Sequence, residues 1–162
     1  MGRWRPPQKQ GAPYITEAGY AKLEQEQKEL WTKRREVVKH LAAAAAEGDR
    51  SENAEYIYRK KQLRELDRRI GYLKRRMPKL KVVRERPSID QIYFGAYIDL
   101  LDEHGAEYRY RIVGSDEIDH AQENISVDAP VARALLGKSV DDEVTVTLGD
   151  RKVVYVVDRI EY

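Results

Sequence analysis

The chain lacks cysteine, has a single phenylalanine and two tryptophans, and contains no long apolar run. Without cysteine there is no disulfide and no Cys-ligated zinc, and this composition fits a reducing cytoplasm. A transmembrane helix needs about 18 or more consecutive apolar residues, and a signal peptide needs an apolar core that the first residues do not offer. We therefore expect a cytoplasmic protein without a membrane partner.

Recognisable catalytic motifs are also missing. The three histidines, at positions 40, 104 and 120, are scattered, and no P-loop, HExxH or dinucleotide fingerprint occurs. The second half of the chain therefore has the character of a docking module rather than of an enzyme.

Charge is abundant but unevenly distributed. Charged residues make up 36% of the 162 residues, mean hydropathy is −0.74, and the net charge is only +2. Residues 1–81 hold 21 Lys and Arg against 11 Asp and Glu, whereas residues 82–162 hold 9 against 17. This asymmetry predicts two parts with different partners, because the basic part attracts nucleic acid and the acidic part repels it.

Two helical patterns follow a Pro- and Gly-containing basic tail, residues 1–13, which we expect to be disordered. Apolar residues recur at alternating spacings of three and four, as in a coiled-coil seam. Met77-Pro78 ends the second pattern. We predict an antiparallel coiled-coil hairpin over residues 14–81, with a first helix about 45 Å long. The seam positions are Tyr20, Leu23, Gln27, Leu30, Arg34, Val37, Leu41 and Ala44, then Tyr56, Arg59, Leu63, Leu66, Ile70, Leu73 and Met77.

The acidic tip between the helices, residues 48–56, is the stretch around which the chain is organised. Gly48 is a helix-ending residue, and Asp49 or Ser51 is a candidate N-cap of the second helix. The pair Asp49 and Glu52 has two interpretations. At this spacing it forms a capping box, or it binds a divalent cation such as Mg²⁺ together with groups from a partner.

Basic residues line the outer face of the second helix at spacings of four and seven. Like charges four residues apart destabilise a helix slightly. A stripe of basic residues at this spacing usually serves to bind phosphates. This face contains Lys60, Lys61, Arg64, Arg68, Arg69, Arg75 and Arg76.

After residue 82 the period changes to that of β-strands, and we predict a small, mostly antiparallel α+β domain. A helix with Pro in its first turn and Gly at its end should lie among the strands. The predicted elements are strands 92–100 and 107–113 around Gly105, helix 129–137, and strands 144–148 and 153–160 over Gly149-Asp150.

These features resemble the bacterial Gre transcript-cleavage factors. The tip sequence GDRSENAEY (residues 48–56) carries the resemblance, with KKQLRELDRR (60–69), RIVGSDE (111–117) and ISVDAPVARALLGK (125–138). The resemblance covers residues 14–162. The dense basic stretch and Leu30-Trp31 make the chain more similar to the GreB branch than to the GreA branch.

The resemblance implies that the coiled coil enters the secondary channel of RNA polymerase. Asp49 and Glu52 would help hold the second, weakly bound Mg²⁺ of the polymerase, which performs the cleavage, so that the isolated protein carries no metal and is not itself an enzyme. An FKBP-like second domain would dock at the channel rim, and the protein would act as a monomer. The implied contacts to the 3′ end of backtracked nascent RNA are Arg59, Lys60, Lys61, Arg64, Arg68 and Arg69, and the implied docking residues are Ser126, Asp128, Pro130, Arg133 and Leu136.

Three other functions remain open. A Gre-like channel regulator without cleavage would not need the intact acidic pair, and zinc-containing channel binders need cysteines that this chain lacks. A coiled-coil RNA-binding adaptor would be insensitive to loss of the tip acids. A prolyl isomerase is suggested only by the FKBP-like fold, which is a weak basis for assigning function.

Overall fold

The computed structural model describes residues 9–48, 53–85 and 88–162. They divide into two compact units. One is a helical unit of residues 18–80, and the other combines residues 81–162 with the segment that ends at Glu17. Among the described helices, none is long and apolar enough to cross a membrane.

The helical unit is the predicted antiparallel hairpin. Helix α1 spans Glu17–Ala45 and helix α2 spans Ala54–Arg76, followed by a 3₁₀ turn at Met77–Lys79. Each of the fifteen predicted seam positions is buried or half-buried, whereas most residues between them are exposed. The seam is therefore the surface through which the helices pack, and the coiled-coil prediction is confirmed.

Ion pairs between the helices fix their register. Arg69 donates two hydrogen bonds to Glu26, at 2.7 and 3.0 Å, and Arg34 donates one to Asp67 at 2.7 Å. Arg34 occupies a polar break in the seam, so this pair explains how a cation is accommodated there. Such partly exposed pairs add at most about 1 kcal/mol each, so burial of the apolar seam stabilises the hairpin more than they do.

The second unit is built on a five-stranded mixed sheet in the order β5-β4-β3-β7-β6. Ile98, Leu100, Ile112 and Val157 are fully buried on one face of the sheet and form its core with Leu135 of a short helix. The elements are β3 Tyr97–Asp102, β4 Glu107–Val113, β5 Asn124–Ser126, α3 Pro130–Leu135, β6 Glu143–Leu148 and β7 Arg151–Glu161. The predicted α+β class is confirmed.

Two details differ from the sequence prediction. The first strand begins at Tyr97 rather than at residue 92, because Gly95 turns the chain with a φ of +89° and donates to the Ile112 carbonyl at 2.8 Å. Strand β5, which pairs parallel to β4, was not predicted. It is only three residues long, too short for an alternating pattern to be visible.

The segment before α1 belongs to the second unit. Its strand β1, Tyr14–Ile15, pairs parallel with β2, Lys81–Val82. Thr16 donates from its backbone N and its Oγ1 to Glu117, at 2.6 and 2.7 Å. Ala12 N donates to Asp128 at 2.8 Å. The ordered contacts thus begin before the boundary that sequence analysis placed at residue 13; residues 1–8 of the predicted tail lie outside the described residues.

A Gly114→Ala substitution tests how closely β1 is held. A Cβ at position 114 would lie 1.9 Å from the backbone oxygen of Tyr14, so β1 must move or the sheet must distort. We expect a loss of about 1–3 kcal/mol in the free energy of unfolding, as in overpacked sites, together with faster amide exchange at Tyr14–Thr16. Thr147→Ala, at an exposed position of β6, is the control, and equal effects of the two changes would contradict this packing.

Candidate functional site

The C-terminal end of α1 is closed by short-range hydrogen bonds. Ala46 N donates to Ala42 and Ala43, and Glu47 N donates to Ala44 at 3.2 Å. Gly48 follows with a φ of +131°, a conformation that side-chain-bearing residues rarely adopt. Gly48 therefore ends the helical path, as the sequence predicted.

The N-terminal end of α2 is capped by Asn53. Its backbone is extended, with φ −80° and ψ 102°, and its side-chain Oδ1 accepts from Tyr56 N at 3.1 Å. The prediction that Asp49 or Ser51 caps this helix is wrong, because Asn53 accepts the first-turn N–H and its extended backbone cannot continue a helix from an earlier start.

The same Asn53 side chain also contacts α1. Its Nδ2 donates to the Ala44 carbonyl oxygen at 2.8 Å, so one amide joins the last turn of α1 to the first turn of α2. We call these two hydrogen bonds the Asn53 bridge. Asn53 was not predicted as the cap, although its place three residues before Tyr56, at the start of an apolar seam, was an available signal.

The two acids of the tip, Asp49 and Glu52, lie outside the described residues, and their role as metal ligands stays a prediction. Their chemistry suits the ion, because carboxylate oxygens are what Mg²⁺ prefers, although two alone hold it weakly. Elsewhere, within the residues that the structure describes, no three His, Cys, Asp or Glu side chains come close enough to form a metal site.

Four of the six predicted RNA contacts form an exposed basic face on α2. Lys60, Lys61, Arg64 and Arg68 are exposed, and none makes an ion pair or hydrogen bond with the described part of the chain. Lys60 Nζ lies 5.9 Å from the Tyr56 ring centre. Because no acid of the described residues pairs with them, these cations are available to an anionic ligand.

The other two predicted RNA contacts are already engaged within the hairpin. Arg59 donates to Glu55 at 2.8 Å and to Gln62 at 3.1 Å, and only 23% of its side chain is exposed. Arg69 makes the bidentate pair with Glu26 and stacks over Tyr72 at 5.3 Å. The sequence showed basic residues on α2, but it did not show which of them meet acids.

An aromatic ring extends the basic face towards the tip. Tyr58 is 57% exposed, and the guanidinium of Arg59 lies 5.4 Å from its ring centre. Tyr58 precedes Lys61 by three residues and Arg68 by ten, so it lies along the same stripe of α2. Exposed aromatic rings beside cations are stacking platforms for nucleobases.

The predicted docking residues surround α3. Pro130 and Leu136 are exposed, and the Arg133 side chain is 66% exposed. Ser126 Oγ accepts from Asp128 N at 3.1 Å in the preceding turn, and Asp128 also accepts from Ala12 N. Pro130, Arg133 and Leu136 therefore form an accessible surface, while Ser126 and Asp128 shape the turn that leads to it.

A second charged cluster lies on the exposed side of the sheet. Arg109 donates to Asp99 at 2.8 Å and to Glu161 at 2.6 Å, and Arg109 and Arg111 both face the Tyr97 ring. The hydrogen bond from Arg109 lowers the pKa of Glu161. This network satisfies its own charges, so it offers less to an ionic ligand than α2 does.

Together, these features define a two-unit protein that has a basic helical hairpin with an acidic tip sequence, and a small sheet domain without a metal-binding cluster among its described residues. The family model of the transcription elongation factor N-terminal domain, GreA/GreB, matches residues 13–82, and that of the GreA/GreB C-terminal domain matches residues 86–162. The chain belongs to the GreA/GreB family of transcription elongation factors.

Curated relatives extend over the full chain. Transcription elongation factor GreB of Pseudomonas aeruginosa is 51% identical, covering 100% of this chain and 98% of its own length. GreB of Xanthomonas axonopodis pv. citri is 52% identical with the same coverage. The solved structure of the transcription factor Gfh1 is 22% identical over 92% of this chain and 97% of its own length, with a TM-score of 0.44.

The basic face should bind RNA through its unpaired cations. We expect Arg64→Ala and Arg68→Ala each to weaken binding of a fluorescent single-stranded RNA and to lower the slope of log affinity against log salt by about 0.7, the value for one phosphate contact. The charge-matched control is Arg34→Ala, since Arg34 is paired with Asp67. Fluorescence anisotropy at several salt concentrations measures both quantities, and an equal change of slope in the control would refute the assignment.

The surface around α3 should contribute to binding RNA polymerase. We expect Leu136→Asp to weaken that binding about tenfold, because burying a carboxylate in an interface without a partner costs more than 1 kcal/mol. Leu148→Asp is the matched control, as Leu148 is a similarly exposed leucine on β6, 40% against 36%. Biolayer interferometry gives both affinities; identical losses would argue against this docking surface.

Proposed function

We propose that this protein rescues backtracked RNA polymerase by stimulating the polymerase's own endonucleolytic cleavage of the nascent RNA. The protein does not hydrolyse RNA alone; its acids act in the active site of its partner. The observation that supports the proposal is that Asn53 caps α2, so this helix, which begins at Ala54, needs no capping box of Asp49 and Glu52 to start it.

The dimensions of the hairpin suit a probe of a deep channel. Helix α1 contains 29 residues and α2 contains 23, which correspond to about 43 and 35 Å of helix. A two-helix coil is slender, and the small side chains at Ala42–Ala46 keep it so near the tip. A tip at the end of such a hairpin reaches a site that a globular domain cannot enter.

In this proposal Asp49 and Glu52 supply oxygen ligands that the polymerase lacks. A second Mg²⁺ in the partner's active site would stabilise charge on the attacking and leaving oxygens of the phosphodiester. The two carboxylates would bind that ion and accept hydrogen bonds from the water that attacks. Weak affinity in the isolated protein is expected, because two carboxylates leave most of the coordination to the partner and to water.

The basic face of α2 would guide the displaced RNA. Lys61, Arg64 and Arg68 would contact phosphates of the 3′ segment, and Tyr58, nearer the tip, would stack on a base. These residues lie on the helix that follows the acids, so the same hairpin would hold the RNA and the metal ligands at once.

The docking surface of Pro130, Arg133 and Leu136 would bind at the mouth of the channel. This unit carries the acidic excess of the chain and is therefore unsuited to nucleic acid. We propose that it binds the polymerase protein and that one copy of the chain acts on one polymerase.

The experiment uses a bacterial RNA polymerase stalled and backtracked on a template with labelled RNA, in the presence of Mg²⁺. We expect wild type to release short 3′ fragments, and Asp49→Asn or Glu52→Gln to lower the rate about 100-fold or more, as the loss of groups that stabilise charge in a transition state does. Polymerase affinity should stay within twofold, which a competition assay measures.

Glu47→Gln is the matched control, since Glu47 is an exposed acid just before the tip and should leave cleavage unchanged. Full cleavage by the Asp49→Asn, Glu52→Gln double variant would refute the proposal. Binding to polymerase without cleavage by wild type would instead identify a channel regulator.

A further inference from the structure

We propose that the RNA-binding surface of the hairpin extends from α2 onto α1, where Trp31 stacks on a nucleobase. The resemblance of the sequence implied RNA contacts on α2 alone. The inference deepens the proposed function and rests on it for the identity of the RNA, which is the displaced nascent transcript. The contact itself is a property of the free protein and is tested there.

A stripe of exposed residues runs along α1 at spacings of three and four, which keep side chains on one face of a helix. It combines two cations with apolar side chains and contains no acid. Trp31 and Val38, seven residues apart, are 44% and 39% exposed, so apolar surface is left uncovered along the stripe. The α1 stripe, as we call it, consists of Lys28, Trp31, Arg35, Val38 and Ala42.

The acids between residues 28 and 42 lie away from the α1 stripe. At 3.6 residues per turn, Glu29 and Glu36 are on the opposite side of the helix from Trp31. The two cations of the stripe make no ion pair with the described part of the chain. A face that serves only solubility usually alternates charges of both signs, whereas this stripe is positive throughout.

An ion pair between the helices places the α1 stripe on the same side of the hairpin as part of the basic face. The guanidinium of Arg34 lies 5.9 Å from the Trp31 ring centre and donates to Asp67 of α2 at 2.7 Å. Lys60 and Arg64 precede Asp67 by seven and three residues, so they share its side of α2. Trp31 therefore lies on the same side as two exposed cations of the facing helix.

An exposed indole on a surface of unpaired cations is suited to single-stranded nucleic acid. The cations contact phosphates, and the ring stacks on a base of any identity because every base has a π-face. Trp31 lies 14 residues before Ala45, the last residue of α1, which is about 21 Å along the helix. It would therefore contact a nucleotide farther from the tip than the one at Tyr58.

Continuity with the basic face of α2 favours RNA over a protein as the ligand of the α1 stripe. A protein surface packs against leucine as well as against an aromatic ring, whereas a base stacks on a ring only. Trp31→Leu and Trp31→Phe therefore distinguish the two ligands, because leucine keeps an apolar side chain and phenylalanine also keeps a ring. Trp31 is exposed, so neither change removes a core residue.

The first arm measures binding of the full-length protein to fluorescent oligouridine and to an abasic oligomer with the same number of phosphates. We expect Trp31→Leu to weaken oligouridine binding about tenfold and abasic binding by less than about twofold, because only the stacked base is lost. Trp31→Phe should stay within about threefold of wild type on oligouridine. Equal oligouridine affinities of wild type and Trp31→Leu would overturn the proposal.

Arg35→Ala tests the cation beside the ring. It should weaken binding of both oligomers and lower the slope of log affinity against log salt by about 0.7, the value for one phosphate contact. The control is Lys33→Ala, since Lys33 is exposed but lies between Glu29 and Glu36, at spacings of four and three. A change of slope in the control as large as that in Arg35→Ala would contradict a defined stripe.

The second arm observes the indole directly. Trp4→Phe leaves Trp31 as the only tryptophan of the chain, so the emission reports on this position alone. We expect saturating oligouridine to quench that emission about twofold through base stacking, and the abasic oligomer to leave it unchanged. Circular dichroism verifies the helix content of each variant. Emission that does not respond to saturating oligouridine would refute the contact.

Polymerase binding separates an RNA contact from a protein contact. We expect the affinity of Trp31→Leu for RNA polymerase without displaced RNA to stay within about twofold of wild type. A tenfold loss there, with unchanged oligouridine binding, would identify a protein contact and overturn the proposal.

The outcomes also distinguish this inference from the proposed function. If oligouridine binds without Trp31 while wild type stimulates cleavage, the RNA contact fails and the proposed function stands. If RNA binds through Trp31 but wild type does not stimulate cleavage, the proposed function fails and the RNA contact stands.

Discussion

The described helical unit depends on the packing of α1 against α2. The two helices meet through an apolar seam that a few polar residues interrupt. Isolated helices of this length are marginal in water, and most of their stability comes from an apolar face packed on a partner. Leu23, Leu66, Ile70 and Leu73 are nearly or fully buried in that seam. The seam also sets the register, and the register brings Ala44 opposite Asn53. The contact between Asn53 and Ala44 therefore depends on packing along the hairpin.

The cations of this hairpin fall into two groups among the described residues: some are paired with acids of the hairpin, and others are exposed without such a pair. Arg34 and Arg69 pair with Asp67 and Glu26 of the facing helix, and these two pairs help to fix the register. Arg59 pairs with Glu55 within α2, which fixes the position of its side chain. Lys60, Lys61, Arg64 and Arg68 have no such partners among the described residues. Repulsion among unpaired cations at helical spacing weakens α2 slightly. Binding of phosphates to this face would offset that cost.

Sequence periodicity predicted the hairpin well because the seam residues of a coiled coil recur at regular spacings along the chain. All fifteen seam positions, including the polar Gln27 and Arg34, fell on the inner surface. The sheet elements 107–113 and 144–148 were also foreseen within a residue. Strand β5 and the β1–β2 pair were not, since their two or three residues are too few to show a period and their partners are far away in sequence. Long-range pairing of such short strands is visible only in three dimensions.

The sequence prediction of the N-cap of α2 was wrong, because the cap is Asn53. Asp49, Ser51 and Asn53 all have side chains that favour N-caps, and local propensity does not choose among them. Contact with α1 favours Asn53, because its Nδ2 lies 2.8 Å from the Ala44 carbonyl oxygen while its Oδ1 accepts from Tyr56 N. Tertiary structure thus supports one of three local candidates for the cap. A hydrogen bond between the two helix ends therefore accounts for a helix start that the local sequence alone did not reveal.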